Sequence, residues 1–263
     1  MATYLARILE HHRARAEADT RSIGSLVDAA ASLSSTRSFA EHLRREDRLN
    51  VISEIKRRSP SKGDLSPFLD PAALATRYRD GGAAALSVLT DGPHFGGAPD
   101  DLVAARAAVE LPVLRKDFTV SSRDVYDTRI MGADCVLLIV AALSDDELAT
   151  FDSLAASLGL AVLVETHDEA EVQRALEHTS ASIIGVNQRD LVTFEVDQQR
   201  AVRVADAIPA TSIKVAESGV RGPEDASALA DAGYDAVLVG EYLVTAADPI
   251  AALTSLRVAV TAR

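Results

Sequence analysis

The chain has 263 residues and a formal net charge of −12, because 39 acidic residues outweigh 27 lysines and arginines. That balance argues against a protein that binds nucleic acid or an anionic membrane. A composition of 48% hydrophobic and 25% charged residues is typical of a globular chain and excludes a disordered or fibrous one. No run approaches the roughly 18 apolar residues of a membrane span, and the only cysteine, Cys135, cannot form an intramolecular disulfide. We therefore expect a cytoplasmic protein.

The first 48 residues differ in pattern from the rest of the chain. Apolar residues recur at helical spacing, as at Leu5, Ile8 and Leu9, and no strand-like run occurs before Leu49. We predict a helical extension over residues 1–48, attached to a single domain that makes up the whole of residues 1–263.

After Leu49, short apolar runs alternate with longer amphipathic stretches. The eight runs are Val51 to Ile55, Ala83 to Leu89, Pro112 to Leu114, Asp134 to Val140, Leu160 to Val164, Ser182 to Val186, Ser212 to Val215 and Asp235 to Val239. They begin roughly 22 to 32 residues apart, which is the spacing of βα units. Eight such units favour a closed (β/α)8 TIM barrel, an α/β fold, over the alternative of a doubly wound open sheet.

The active site of such a barrel lies at the carboxyl ends of its strands, where this sequence places titratable residues and glycines. These residues are Glu54, Lys56, Lys116, Glu165, Asn187, Arg189, Glu217, Ser218, Gly219, Gly240 and Glu241. A lysine and two glutamates in one cleft shift one another's pKa values, which separates acid and base roles. The glycines after the last two strands predict phosphate binding, to which Ser59 and Ser61 add hydroxyl donors.

For two histidine segments and the cysteine, the sequence favours a structural role over a functional one. His11-His12 lacks the spacing of a zinc protease motif, so a solvated helical face is favoured over a metal site. His167 is predicted on a surface loop. Cys135 lies in an apolar run without basic neighbours, which predicts a small buried residue and not a nucleophile.

Several segments together resemble the indole-3-glycerol-phosphate synthases of tryptophan biosynthesis. The matching segments, in the family's order, are Ser53 to Gly63, Ser87 to Asp91, Leu114 to Phe118, Gly132 to Asp134, Val164 to His167, Ile184 to Leu191, Glu217 to Val220 and Val239 to Glu241. The resemblance implies a carboxy-lyase that converts 1-(2-carboxyphenylamino)-1-deoxyribulose 5-phosphate to indole-3-glycerol phosphate, carbon dioxide and water. It implies no cofactor and no metal.

The resemblance also implies roles for individual residues. The implied catalytic residues are Lys116, Glu165, Glu54, Lys56, Asn187 and Glu217. The implied substrate-binding residues are Arg189, Ser59, Pro60, Ser61, Phe118, Ser218, Gly219, Leu238, Gly240 and Glu241. Lys116 is the general acid for ring closure, Glu165 stabilises the cationic intermediate, and Glu54 assists dehydration. Lys56 contacts the substrate carboxylate, and which lysine acts in which step stays open.

Two other functions remain alternatives. A phosphoribosylanthranilate isomerase is expected to use a cysteine and an aspartate, whereas these strand ends carry Lys116 and Glu165. A catalytically silent phosphate-binding barrel has no chemical reason to keep Glu54, Lys56, Lys116 and Glu165 together. The family pattern also departs at Gln188, at Thr119 to Arg123 and at Tyr242. For partners we expect a small anionic sugar phosphate bound in a basic barrel mouth, no nucleic acid or membrane, and a monomer or weak homo-oligomer.

Overall fold

Eight parallel strands close into a barrel in the computed structural model, which describes residues 3–44, 47–60 and 62–260. The strands, here β1 to β8, are Asn50–Ile55, Ala85–Leu89, Val113–Lys116, Cys135–Ile139, Ala161–Thr166, Ile183–Asn187, Ile213–Glu217 and Ala236–Val239. Each strand pairs with its neighbours in sequence, and β1 pairs with both β2 and β8. The predicted TIM barrel and its eight strands are confirmed, and the open sheet is excluded.

Helices surround the barrel and precede it. The helices, α1 to α13, are Tyr4–Ala18, Ile23–Ala31, Phe39–Leu43, Pro71–Asp80, Gly92–Phe95, Pro99–Ala108, Ser122–Ile130, Asp145–Ser157, Glu169–His178, Arg200–Val204, Pro223–Asp231, Glu241–Val244 and Pro249–Leu256. Their starts follow local capping chemistry: the Asp70 carboxylate, for example, accepts hydrogen bonds from the backbone N–H groups of Ala72 and Ala73 at the start of α4. Among the helices that the structure describes, none combines the length and apolarity needed to cross a bilayer.

Strand register determines which side chains share the barrel interior. Side chains alternate between the two faces of a strand, so Ile52 and Glu54 point to the same side. Glu54 lies opposite Ser87, Leu89 opposite Lys116, and Asn187 opposite Glu217. Because these positions have the same parity on neighbouring strands, the side chains at the strand ends converge on one cavity.

The N-terminal helices dock on the barrel through ion pairs and a small apolar cluster. From α1, Arg13 pairs with Glu147 at 2.8 Å and Arg15 with Asp124 at 2.6 Å. Leu26 of α2 packs with Tyr126 of α7 in a cluster separate from the main core. The predicted helices before Leu49 are therefore confirmed for the part of the extension that the structure describes.

Candidate active site

A cavity of about 600 Å³ opens at the carboxyl ends of the strands. Of the sixteen residues predicted to form the site, Ser61 lies outside the described residues. The other fifteen all line this cavity: Glu54, Lys56, Ser59, Pro60, Lys116, Phe118, Glu165, Asn187, Arg189, Glu217, Ser218, Gly219, Leu238, Gly240 and Glu241. The described strand-end residues therefore meet in one place, as predicted.

Lys116 lies between two buried glutamates at the end of β3. Its Nζ donates to Glu165 Oε2 at 2.6 Å and to Glu217 Oε2 at 3.0 Å. Asn187 Nδ2 donates to the other oxygen of Glu165 at 2.9 Å, so both oxygens of that carboxylate are occupied. The three charges come from β3, β5 and β7, and the barrel frame holds them at fixed distances.

The two glutamates have opposite pKa shifts. Burial alone would raise the pKa of Glu165, but the Lys116 ammonium, His167 and the Asn187 amide lower it to about 2. For Glu217, burial dominates, and the charge of Glu165 adds to it against the attraction of Lys116, which raises its pKa to about 7. Burial would lower the pKa of Lys116, but the two carboxylates raise it instead. At neutral pH the cluster thus contains an ammonium, a carboxylate and a glutamate near its midpoint.

A second pair lies at the end of β1. Lys56 Nζ donates to Glu54 Oε2 at 2.6 Å. A Cβ at residue 240 would lie 2.2 Å from Glu54 Oε2 and 3.1 Å from Lys56 Nζ. Any larger residue here would have to displace this pair, so Gly240 leaves room for Glu54 and Lys56 in their present positions.

The loops after β6 and β7 interlock at the predicted phosphate site. Ser218 and Gly219 both have left-handed backbone conformations, with φ of 65° and 79°. Gln188 Nε2 donates to the Ser218 carbonyl, and Gln198 Nε2 donates to the Gly219 carbonyl, each at 2.9 Å. A left-handed serine is uncommon and marks a backbone held by its surroundings. The departure at Gln188 thus has a structural role, since its amide fixes this loop.

Glu241 faces a lysine from the loop after β1. Lys62 Nζ lies 2.9 Å from Glu241 Oε1, and both side chains are exposed. This loop forms a hairpin, Arg58–Ser59 with Gly63–Asp64, which the sequence patterns did not predict. Tyr242, another departure, lines the cavity beside Glu241.

Apolar side chains form one wall of the cavity. Phe118 packs against Phe95 with ring centroids 6.4 Å apart, and Leu238 and Pro60 also line the space. This wall gives a flat aromatic group a complementary surface, while the charged clusters contact polar groups.

Arg115 and Asp117 are positioning residues. They lie in the segment Leu114 to Phe118, but the sequence patterns predicted no role for them. Arg115 Nη2 donates to Asp117 Oδ2 at 2.8 Å, and Thr90 Oγ1 donates to the same oxygen at 2.6 Å. The flanking segment Thr119 to Arg123 leads into α7, where the Asp124 carboxylate accepts from the Val120 N–H. These bonds fix the backbone on both sides of Lys116 and Phe118. For Arg115, alternation along the strand was the available signal, because the residue before an inward-pointing lysine points to the opposite face of the strand.

Gly185 is a second residue whose role was missed. A Cβ at this position of β6 would lie 2.3 Å from Glu217 Oε1. A glycine inside an apolar strand signals the close approach of another group, and here that group is the Glu217 carboxylate.

The histidine predictions are wrong in two places. His12 is buried at 1% exposure, with Nε2 3.2 Å from Asp91 Oδ1, whereas a solvated face was predicted. His167 is mostly buried instead of lying on the surface, with Nε2 3.7 Å from Glu165 Oε1 and Nδ1 3.0 Å from Glu171 Oε2. Burial alone would lower the pKa of His167, but these two carboxylates raise it. Cys135 is fully buried as predicted, and burial raises the pKa of its thiol.

The expected basic mouth is also wrong. Among the described residues, the cavity is lined by five cationic side chains, Lys56, Lys62, Lys116, Arg189 and Arg221, and by six acidic ones, Glu54, Asp91, Asp117, Glu165, Glu217 and Glu241. The cations are mostly paired with carboxylates. An anionic substrate must therefore be recognised by local groups and not by an overall positive field.

Comparisons with known proteins point to one family. A family model described as indole-3-glycerol phosphate synthase matches residues 5–256. The chain is 48% identical over 256 residues to the indole-3-glycerol phosphate synthase of Mycobacterium ulcerans, covering 97% of this chain and 94% of that protein. It is 55% identical over 211 residues to that of Paenarthrobacter aurescens, covering 80% and 77%.

A solved structure shares the fold at much lower identity. The thiamine phosphate pyrophosphorylase of Pyrococcus furiosus superposes with a TM-score of 0.60 at 16% identity, covering 79% of this chain and 93% of that one. At this identity the similarity supports the barrel architecture alone.

Proposed function

The chain belongs to the indole-3-glycerol phosphate synthase family, and from this premise we propose that it closes the indole ring in tryptophan biosynthesis. The substrate is 1-(2-carboxyphenylamino)-1-deoxyribulose 5-phosphate, and the products are indole-3-glycerol phosphate, carbon dioxide and water. The observation that carries the proposal is the position of Lys116, held between Glu165 and Glu217 in a cavity lined by the other predicted residues.

The first chemical step needs an acid. When the anilino ring carbon attacks the ketone carbon, the ketone oxygen gains negative charge and takes a proton. Lys116 suits this step because its two carboxylates keep it protonated at neutral pH, and a developing alkoxide is a stronger base than a lysine amine. Glu165, which stays ionised, then stabilises the positive charge of the cyclised intermediate until carbon dioxide leaves.

Dehydration needs a second acid and base pair. A proton must leave the carbon next to the new ring carbon, and the hydroxyl must depart as water. Glu54 and Lys56, 2.6 Å apart at the end of β1, are the pair proposed for this step. Lys56 also contacts the substrate carboxylate before it is lost. Lys116 and Glu165 thus act in ring closure and decarboxylation, and Glu54 and Lys56 act in dehydration.

Binding is assigned to the remaining residues of the cavity. Asn187 and Arg189 orient the substrate hydroxyls and carboxylate, and Glu217 positions Lys116. Phosphate is held by Ser59, Ser61, Ser218, Gly219, Gly240 and the backbone of Glu241. The anthranilate ring packs against Phe118, Pro60 and Leu238. The left-handed pair at Ser218 and Gly219 supports this assignment, because it fixes a loop that adjoins the cavity.

The alternative functions have less support. The isomerase chemistry needs a reactive cysteine, but Cys135 begins β4 and is completely buried. A silent phosphate-binding barrel gives no reason for two intact ion-paired clusters.

The further parts of the proposal are a single barrel domain with residues 1–48 as its extension, a cytoplasmic location, a monomer or weak homo-oligomer, and no nucleic acid partner. The acidic charge of −12 supports the last of these.

Replacing Lys116 tests the reaction directly. We expect Lys116→Ala to lower kcat by about 10²–10⁴-fold, because it removes the acid from the transition state. The fold should persist, since Glu217 can take up a proton when the lysine is lost. Turnover is followed by indole fluorescence on the carboxyphenylamino-deoxyribulose phosphate. Near-wild-type turnover in the variant would exclude the assigned role, and no turnover in the wild-type enzyme at high concentration would favour the silent barrel.

Lys56→Ala provides the matched comparison. If Lys56 mainly binds the carboxylate, this variant should raise KM more than it lowers kcat. If both variants lose kcat equally, Lys56 shares the acid role.

A further inference from the structure

Three side chains outside the proposed catalytic clusters meet where the N-terminal helix crosses the loop after β2. His12 comes from α1, Asp91 directly precedes α5, and His94 lies within α5. One ligand atom from each lies within 4.8 Å of the other two. We propose that His12, Asp91 and His94 form a Zn²⁺ site that links α1 to the loop bordering the cavity.

The distances between the histidine nitrogens and the Asp91 oxygens match the edges of a metal coordination shell. His12 Nε2 lies 3.2 Å from Asp91 Oδ1, and His94 Nδ1 lies 3.2 and 3.3 Å from the two Asp91 oxygens. Ligands about 2.0–2.1 Å from a tetrahedral zinc ion are separated from one another by about 3.3–3.4 Å. Charge-assisted N–H···O bonds are shorter, about 2.7–2.9 Å. The spacing is thus longer than that of strong charge-assisted bonds, lies at the long end of ordinary N–H···O bonds, and matches that of two ligands sharing one ion.

The orientation of the imidazoles supports the same interpretation. His94 Nδ1 faces both Asp91 oxygens almost equally, which is a poor geometry for one directional hydrogen bond. His12 Nδ1 is buried without a partner among the described residues, so Nε2 is the nitrogen that faces Asp91. The Asp91 carboxylate is itself held in place by the backbone N–H of His94 at 2.9 Å.

The ligand set favours a borderline transition metal. Two imidazoles and one carboxylate suit Zn²⁺, whereas Mg²⁺ and Ca²⁺ prefer oxygen ligands. A second carboxylate, Asp117, has Oδ1 3.8 Å from His12 Nε2 and adds negative charge nearby. His94 is partly exposed at 19%, which provides a path for the ion. Three protein ligands leave the fourth position of a tetrahedral ion for water.

The site would stabilise the contact between two elements and take no part in ring closure. His12 packs against Phe118 with ring centroids 5.3 Å apart, so an ion at His12 connects α1 to the apolar wall of the cavity. This inference does not depend on the proposed reaction, because binding can be measured without substrate.

The test uses full-length, tag-free protein freed of metal by a chelator. Zn²⁺ is titrated against a chromophoric chelator, and Co²⁺ is added separately to record the visible absorption of a tetrahedral site. His94→Ala is the main variant because its side chain is partly exposed and its loss should not prevent folding. His178→Ala is the control, since His178 forms an ordinary surface pair with Asp145 at 3.5 Å.

The expected result is one Zn²⁺ per chain in wild type and His178→Ala, with affinity at least tenfold weaker in His94→Ala. The absorption band of bound Co²⁺ should be present in the wild type and absent in His94→Ala. Zn²⁺ should raise the Tm of the wild type but not that of His94→Ala. Absence of stoichiometric binding in the wild type, or equal affinity in His94→Ala, would overturn the proposal.

Discussion

Gly185 shows how one missing side chain shapes the arrangement around Lys116. The Glu217 carboxylate occupies the space beside β6 where a Cβ would stand, 2.3 Å from Oε1. Glu217 is thereby directed toward Lys116 at 3.0 Å. An added methyl group would therefore have to displace the Glu217 carboxylate, because that carboxylate extends from the neighbouring strand β7 into the space beside Gly185.

We expect Gly185→Ala to lower kcat by about 10²-fold, since a displacement of about 1 Å at a catalytic group has that effect. Overpacking should also destabilise the fold by about 1–3 kcal/mol. Indole fluorescence gives kcat, and thermal unfolding gives stability. Gly24→Ala is the matched control because no atom lies within 4 Å of its added Cβ. Unchanged kcat in Gly185→Ala would mean that the position of Glu217 is unimportant.

At the residue scale, the sequence predicts well which strand-end side chains meet, and it predicts poorly which polar groups are buried. Lys116, Glu165 and Glu217 were predictable because inward-pointing residues at strand ends must converge. His12 was not, because its partner Asp91 is 79 residues away and helical periodicity does not show which polar side chain will be buried against it.

At the scale of elements, an exposed ion pair joins the loops after β1 and β8. Lys62 and Glu241 are 2.9 Å apart, and both line the cavity. Exposed pairs contribute about 0–1 kcal/mol to stability, so this pair is unimportant for folding. Its effect is instead local, because Lys62 neutralises a carboxylate beside the proposed phosphate loop.

We expect Lys62→Met to raise KM several-fold with little change in kcat or Tm, because the uncompensated Glu241 carboxylate would repel the phosphate. Lys62→Met combined with Glu241→Gln should restore KM. Arg79→Met is the control, since it breaks a similar exposed pair with Asp80, which does not line the cavity. If the single variant has normal KM, Glu241 does not face the phosphate.

Element boundaries were predictable only where apolar residues carry the pattern. The longer stretches after the apolar runs show amphipathic spacing, and helices occupy two of them at Pro71–Asp80 and Asp145–Ser157. Helix α7, Ser122–Ile130, lacks a clear apolar pattern because it buries polar residues such as Asp124, Thr128 and Arg129. Asp124 pairs with Arg15 of the N-terminal helix α1. This contact with a distant segment helps to bury α7, and the local spacing of apolar residues cannot predict it.

For the whole molecule, the buried charges of the barrel link stability to pH. Glu217 has a pKa of about 7 in the folded protein, above the ordinary value of 4.5. The folded state therefore binds this proton more tightly than the unfolded state. The stability that the proton contributes is complete below about pH 4.5 and is lost as pH rises through about 7. Glu165 does not titrate in this range because Lys116 keeps its pKa near 2.

Glu217→Gln removes this titration while keeping the size of the side chain. We expect the variant to gain stability relative to wild type as pH rises from 4.5 to 7, by up to about 3 kcal/mol, since one pKa unit corresponds to about 1.36 kcal/mol. Urea unfolding of both proteins across this range measures the difference, and His167 titrates in both and largely cancels. A difference that stays constant with pH would mean that Glu217 is already ionised at pH 4.5, with Lys116 outweighing the effect of burial.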